Sequence, residues 1–198
     1  MLETFICIIS ILATCYLGDY IVFTALSGQE TIIKALADST IHGLVGFFSW
    51  LIIQKYPIYN AVICAIIAML IDIDHFIHAQ SFNIENAVNL THRPFLHNST
   101  LPLSIYIIVM FINCVLMNNY PAVKTYATLT FVAFYSHHLR DASRRGLWFH
   151  PWIESLPITY HTYIFADILL CLLFKIMLFD GNVQSFKLPV TIKDSGFS

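Results

Sequence analysis

Runs of about twenty apolar residues recur along this 198-residue chain, and they fix its solvent before anything else. A helix needs roughly 20 such residues to cross the hydrocarbon core of a bilayer. Residues 2–26, 32–53, 58–78, 99–117, 121–140 and 161–179 each come close to that length. The sequence therefore predicts an all-α, multi-pass transmembrane helical bundle of about six spans. Asp19 interrupts the first run, so five spans is the alternative count. Charged residues make up 11% of the chain and hydrophobic ones 58%, against about 25% charged in an ordinary soluble domain. So few charges do not coat a water-facing surface, and the lipid bilayer is the expected partner of much of the exterior. Localisation is read accordingly as integral to a membrane.

Other classes fall away quickly. A net charge of −2 leaves no electrostatic footprint for nucleic acid, and no polybasic stretch addresses anionic lipid. Cys7, Cys15, Cys64, Cys114 and Cys171 all lie in apolar runs without a CxxC pair. They read as small apolar packing residues, not as a disulfide framework or a zinc knuckle. The first run carries Glu3, no Lys or Arg and no small-x-small cleavage site, so it reads as a retained anchor and not as a signal peptide. Residues 1–180 form the expected transmembrane domain, and 181–198 a loose polar tail. Residues 141–160, with Arg144, Arg145, Gly146, Trp148 and Trp152, read as an interfacial or re-entrant stretch. Gly43 and Gly46 are expected to let two helices approach closely, and Asn98, Ser99 or Thr100 to cap the fourth helix.

Helix parity then sorts the polar residues. If six spans alternate, the end of the first, third and fifth and the start of the second, fourth and sixth share one membrane face. Asp19 closes the first, and Asp38 and His42 sit early in the second. Asp72, Asp74, His75 and His78 close the third; His92, Arg93 and His97 follow in the loop. His137, His138, Arg140 and Asp141 end the fifth, and His161 opens the sixth. The opposite face is expected to hold only loop residues such as Lys55, Asn118, Asn119 and Lys124, with nothing polar in the first halves of the third and fifth helices.

Ionisable groups inside membrane helices cost about 2.5–3.5 kcal/mol each on insertion scales, and persist where they find partners or serve a function. Arg93, Arg140, Arg144 and Arg145 offset some of the aspartates. A divalent cation is the other economical solution. Asp72 and His75 are three residues apart; Asp38 and His42, Asp74 and His78, and His137 and Asp141 are four apart, so each pair shares a helix face. Such carboxylate–imidazole pairs bind a cation directly or orient one another behind it. Mixed donors suit zinc, manganese or iron, and all-oxygen donors magnesium. The same spacings also serve a purely structural polar network, or an ion or proton pathway.

Longer motifs carry a resemblance. Residues 35–42 (ALADSTIH), 71–76 (IDIDHF), 93–100 (RPFLHNST), 136–141 (SHHLRD) and 146–148 (GLW) resemble the animal transmembrane protein 267 family in order and spacing. A more distant resemblance is to the bacterial LexA-binding inner-membrane metal-dependent hydrolases. Their early His, D-x-D-H, H-R-x-x-T-H-S and S-H-x-x-x-D motifs correspond here to His42; to Asp72, Asp74 and His75; to His92, Arg93 and His97; and to Ser136, His137 and Asp141. Leu96, Asn98 and Pro94 stand where that pattern has Thr, Ser and Gly. That resemblance implies a metal-dependent hydrolase. His42, Asp72, Asp74, His97, His137 and Asp141 are the candidate ligands of a divalent zinc, manganese or magnesium ion. His75 or His138 is then the candidate general base or supporting group, and Arg93 and Arg140 the candidates for holding an anionic group. A lipid ester or phosphoester is the expected substrate class for a site at headgroup level. A non-catalytic membrane scaffold and an ion- or proton-coupled transporter are the two alternatives.

Overall fold

The computed structural model describes residues 2–151 and 153–178, so Trp152, the last residue of the sixth apolar run and the polar tail lie outside the described residues. Long helices dominate. α1 (Leu2–Tyr20) continues through a wider π-type turn to Ala25, α2 spans Thr31–Ile53, and α3 (Ile58–Leu70) is followed by α4 (Ile73–Ala79). A short α5 (Ile84–Val88) and a single 3-10 turn (Phe95–His97) lead into α6 (Thr100–Leu116), then α7 (Pro121–Arg145) and α8 (Tyr160–Leu178).

Local chemistry explains the punctuation. Pro121 opens α7, where a missing N–H costs nothing. Gly146 ends α7 at a φ of 75°, where a Cβ would lie 2.0 Å from the Ser155 carbonyl oxygen. Asn83 caps α5, its side-chain oxygen accepting from the Glu85 N–H at 2.9 Å. At the entry to α6 the N-cap position is Ser99, and Asn98 just before it accepts from the Thr100 N–H at 3.0 Å.

Four helical segments are long and apolar enough to cross a membrane: Leu2–Ala25, Thr31–Ile53, Ile58–Ala79 and Tyr160–Leu178. The other two expected spans are present as helices of a different character. Thr100–Leu116 is apolar but short. α7 runs five residues beyond the expected Arg140 and carries its polar groups inward, with Thr128, Ser136, His137, His138 and Arg140 all buried. The third span is broken between Leu70 and Ile73, where the Asp74 and His75 N–H groups bond back to Ile71 and Asp72 at 3.2 Å. The segment after α7 contains a two-residue hairpin pairing Trp148–Phe149 with Ile153–Glu154, and neither strand spans a membrane.

The outward faces stay apolar: Phe5, Ile6, Ile107, Phe111, Phe165 and Ile176 are all more than half exposed in the isolated chain. That is surface for lipid, since a soluble monomer rarely shows so continuous an apolar exterior. The interior is packed by Trp50, Ile52, Cys64, Leu129, Val132 and Ala133, each 0% exposed. The expected close approach of α2 is present. A Cβ on Gly46 would lie 3.0 Å from the Ala68 Cβ and 3.4 Å from the Cys64 carbonyl oxygen. Gly46→Leu is therefore expected to destabilise the bundle by about 1–3 kcal/mol through overpacking. Equilibrium unfolding in detergent checks this, and unchanged stability there contradicts the packing as drawn.

Candidate metal centre

Three backbone segments converge at the end of the bundle where α3 gives way to α4 and α7 ends. The break after Leu70 turns Asp72 inward. The 3-10 turn projects His97, and α7 supplies His137 and Asp141 one helical turn apart. Their ligand atoms cluster tightly. His97 Nε2 and His137 Nε2 are 3.3 Å apart. Asp72 Oδ1 lies 3.6 Å from His97 Nε2 and 3.5 Å from His137 Nε2. Asp141 Oδ2 lies 3.5 Å and 3.6 Å from the same two nitrogens.

Both imidazoles are held from behind. His137 Nδ1 sits 2.9 Å from the Ala68 carbonyl oxygen. A carbonyl only accepts, so Nδ1 carries the proton and Nε2 presents its lone pair to the cluster. His97 Nδ1 sits 3.2 Å from Asp74 Oδ2, which also accepts from the Leu96 N–H at 2.7 Å. Asp74 thus faces the rear of His97, in the supporting position carboxylates take behind metal-bound imidazoles. Its other oxygen is 3.2 Å from His75 Nδ1. Burial pushes the His97 imidazole toward neutrality, but hydrogen bonds to Asp141, Asp72 and Asp74 override it and hold its pKa up at about 11. The three carboxylates around it thus favour positive charge on this imidazole.

His42 is fully buried at 1% exposed and stacks on His137 with ring centroids 3.8 Å apart. Its Nε2 lies 3.4 Å from Asp141 Oδ1, and neither ring nitrogen closes a hydrogen bond. His42, His137 and Asp141 form one grouping with metal-ligating spacing; Asp72, His97 and His137 form a second, and Asp74, His75 and His97 a third.

The remaining predicted residues divide. Arg140, 1% exposed, is clamped between Asp19 Oδ1 at 2.5 Å and Asp38 Oδ1 at 2.7 Å. Arg144 pairs with Asp38 at 3.0 Å and with Asp141. Arg93 spends its guanidinium on the carbonyls of Arg145 and Gly146, tying the loop to the end of α7. His138 has both nitrogens engaged, Nε2 with the Leu96 carbonyl at 2.9 Å and Nδ1 with Ser99 Oγ at 3.1 Å. His78, His92 and His150 are exposed, and His161 bonds the Tyr16 hydroxyl at 3.0 Å. His75 borders a cavity of about 430 Å3 that also meets Asp72 and Asp141.

The polar interior also extends past the single face expected. Asp167, 2% exposed within α8, accepts from Ser49 Oγ of α2 at 2.8 Å. Asn60, Asn113 and Thr128 are buried in α3, α6 and α7, so the first halves of the third and fifth apolar runs do hold polar groups. Asp167 was visible in the sequence as an aspartate inside an apolar run, the pattern that marks an intramembrane functional or paired group.

Fold and site together define a multi-pass helical membrane protein with a histidine–aspartate cluster built into one end of its bundle. The chain belongs to the transmembrane protein 267 family. It is 34% identical over 158 residues to Transmembrane protein 267 of Danio rerio, covering 77% of this chain and 70% of that one. It is 30% identical over 154 residues to that of Xenopus laevis, covering 76% and 71%. Against that of Bos taurus the identity is 29% over 157 residues, covering 76% and 71%. No family model matches the chain, and no solved structure matches it.

Proposed function

We propose that this protein is a membrane-embedded hydrolase whose active centre is a divalent metal ion held by Asp72, His97, His137 and Asp141. One observation carries the reading. Four ligand atoms around an ion at about 2.0–2.1 Å form a tetrahedron with edges of roughly 3.3–3.4 Å. Here the His97–His137 edge is 3.3 Å, Asp72 Oδ1 completes one triangular face on it at 3.6 and 3.5 Å, and Asp141 Oδ2 a second at 3.5 and 3.6 Å. The Ala68 carbonyl behind His137 and Asp74 behind His97 support it further, since they fix the tautomers a metal requires. The two-nitrogen, two-oxygen donor set favours zinc or manganese over magnesium. The resemblance of the same positions to the LexA-binding inner-membrane hydrolases points the same way.

A bound ion would supply Lewis acidity and an acidified water. The chain's own groups do the rest. His75, whose Nδ1 lies 3.2 Å from Asp74 Oδ1, borders the cavity and is the imidazole placed to accept a proton there. Arg144 holds the outer oxygen of Asp141, which leaves Oδ2 directed at the two imidazoles. His42 fills the space behind His137 as a further nitrogen donor of the site.

Purified full-length protein is expected to carry about one equivalent of zinc or manganese, read by elemental analysis after dialysis. Asp74 and His75 are expected to be dispensable for that stoichiometry, while Asp72→Ala lowers it to about half or less. Well-folded protein that stays metal-free after incubation with either ion sinks the reading and leaves the cluster a structural polar network.

A further inference from the structure

We infer that the substrate of this centre is a lipid phosphomonoester, drawn from the bilayer with its headgroup in the cavity beside Asp72 and Asp141. The inference rests on the metal-centred reading above.

Charge names the headgroup. The cavity of about 430 Å3 is lined by three carboxylates, Asp38, Asp72 and Asp141, and by three cations, Lys34, Arg144 and Arg145. Asp38 and Asp141 are paired with Arg140 and Arg144, whereas Lys34, bonded to the Ser27 carbonyl, and Arg145 meet no carboxylate among the described residues, which leaves two positive charges of the wall uncompensated. A phosphomonoester near neutral pH carries about −1.5 to −2 and matches that surplus. A neutral carboxylic ester gains nothing from it, and a phosphodiester, with one charge, leaves half of it uncompensated. The volume falls in the range of small-molecule sites, about 300–1,000 Å3.

The walls name the source. Val22 and Phe23 of the π-type turn that follows α1 and Ile84 and Val88 of α5 line the cavity. Phe23 is 53% and Val88 40% exposed in the isolated chain, so the apolar wall runs outward onto the surface that meets lipid. A water-soluble phosphate ester leaves those side chains uncovered. A lipid places its headgroup among the charges and its chains along Phe23 and Val88, and burying apolar surface there stabilises it at about 25 cal/mol per Å2.

The reaction balances as hydrolysis. An oxygen from water bonds to phosphorus, and the bond from phosphorus to the lipid oxygen breaks. His75 takes one water proton, which returns to the departing lipid oxygen. The products are a lipid alcohol and inorganic phosphate, with no redox change.

The test uses metal-loaded full-length protein in nanodiscs. Phosphate release is measured from phosphatidic acid in the disc and from glycerol 3-phosphate in solution. The expected result is release from phosphatidic acid at least tenfold faster, and a KM raised severalfold by Arg145→Ala with kcat retained. A second readout needs no turnover. Phosphatidic acid carrying a diazirine on its acyl chain is expected to label the Phe23 and Val88 segments of metal-free protein ahead of the lipid-facing Ile107 and Phe111. Protein that binds one metal equivalent but releases no phosphate from phosphatidic acid overturns this inference alone. So does labelling spread evenly over all outward helices. Protein that binds no metal overturns the centre and the substrate together.

Discussion

His137→Ala is expected to cut bound metal from about one equivalent to less than a tenth, the largest single loss among variants of the cluster. The reason lies in its position. His137 is 0% exposed, its Nε2 is shared between two of the three ligand groupings, and its Nδ1 is locked on the Ala68 carbonyl. The deletion leaves a polar hole against the stacked ring of His42. Asp74→Asn is expected to behave differently. It keeps a hydrogen-bonding oxygen behind His97 but removes the charge, so stoichiometry survives while affinity falls about 10- to 100-fold. His138→Phe separates site from scaffold. Its ring holds Leu96 and Ser99 from outside the ligand set, so metal binding should persist at a stability cost of about 1–3 kcal/mol. Metal competition titrations rank the three variants, and equal losses in all three contradict the assigned roles. Binding is also expected to release protons. His97 holds its proton up to about pH 11 when the carboxylates have no metal, and only its neutral form coordinates. Affinity should therefore rise with pH across the neutral range and fall in acid, and calorimetry in buffers of differing ionisation enthalpy reads the released proton directly.

Much of this was legible before any coordinates. Apolar run length and helix parity placed the ends of α3 and α7 and the loop before α6 at one end of the bundle, because helices in lipid satisfy their own backbone and must return across the membrane. Spacing found His137 and Asp141 as a pair on one face. It did not find the break at Ile71 and Asp72, which arises from tertiary packing and turns Asp72 and Asp74 to different sides of His97. It also did not separate the arginines. Arg93, Arg140 and Arg144 look alike in sequence, yet one binds carbonyls, one a buried aspartate pair, and one a carboxylate of the cluster. Asp167 shows as an acid inside an apolar run, but its partner, Ser49, lies 118 residues away on another helix, so spacing alone does not pair the two. Periodicity within one helix carries no record of what faces it.

Arg140→Ala is expected to cost about 3–5 kcal/mol, the largest stability loss of any single substitution considered. Breaking a buried ion pair from one side leaves the other charge without compensation. Here one guanidinium serves two carboxylates, Asp19 from α1 and Asp38 from α2. Arg144 reaches Asp38, but among the described residues Asp19 pairs with no cation besides Arg140; the Tyr163 hydroxyl also donates to it at 3.4 Å. The clamp therefore joins three helices that apolar packing alone aligns only loosely. Lysine is not an equivalent replacement, because a single ammonium lacks the planar fork that spans two acceptors. The charge interpretation has a sharp control. Arg140→Met combined with Asp19→Asn and Asp38→Asn removes the whole charged triad, and a buried triad replaced in full is often neutral in stability. The triple variant is expected to recover most of the loss of Arg140→Ala in detergent unfolding. If instead it is as unstable as the single variant, side-chain volume at Arg140 and not uncompensated charge holds the three helices together.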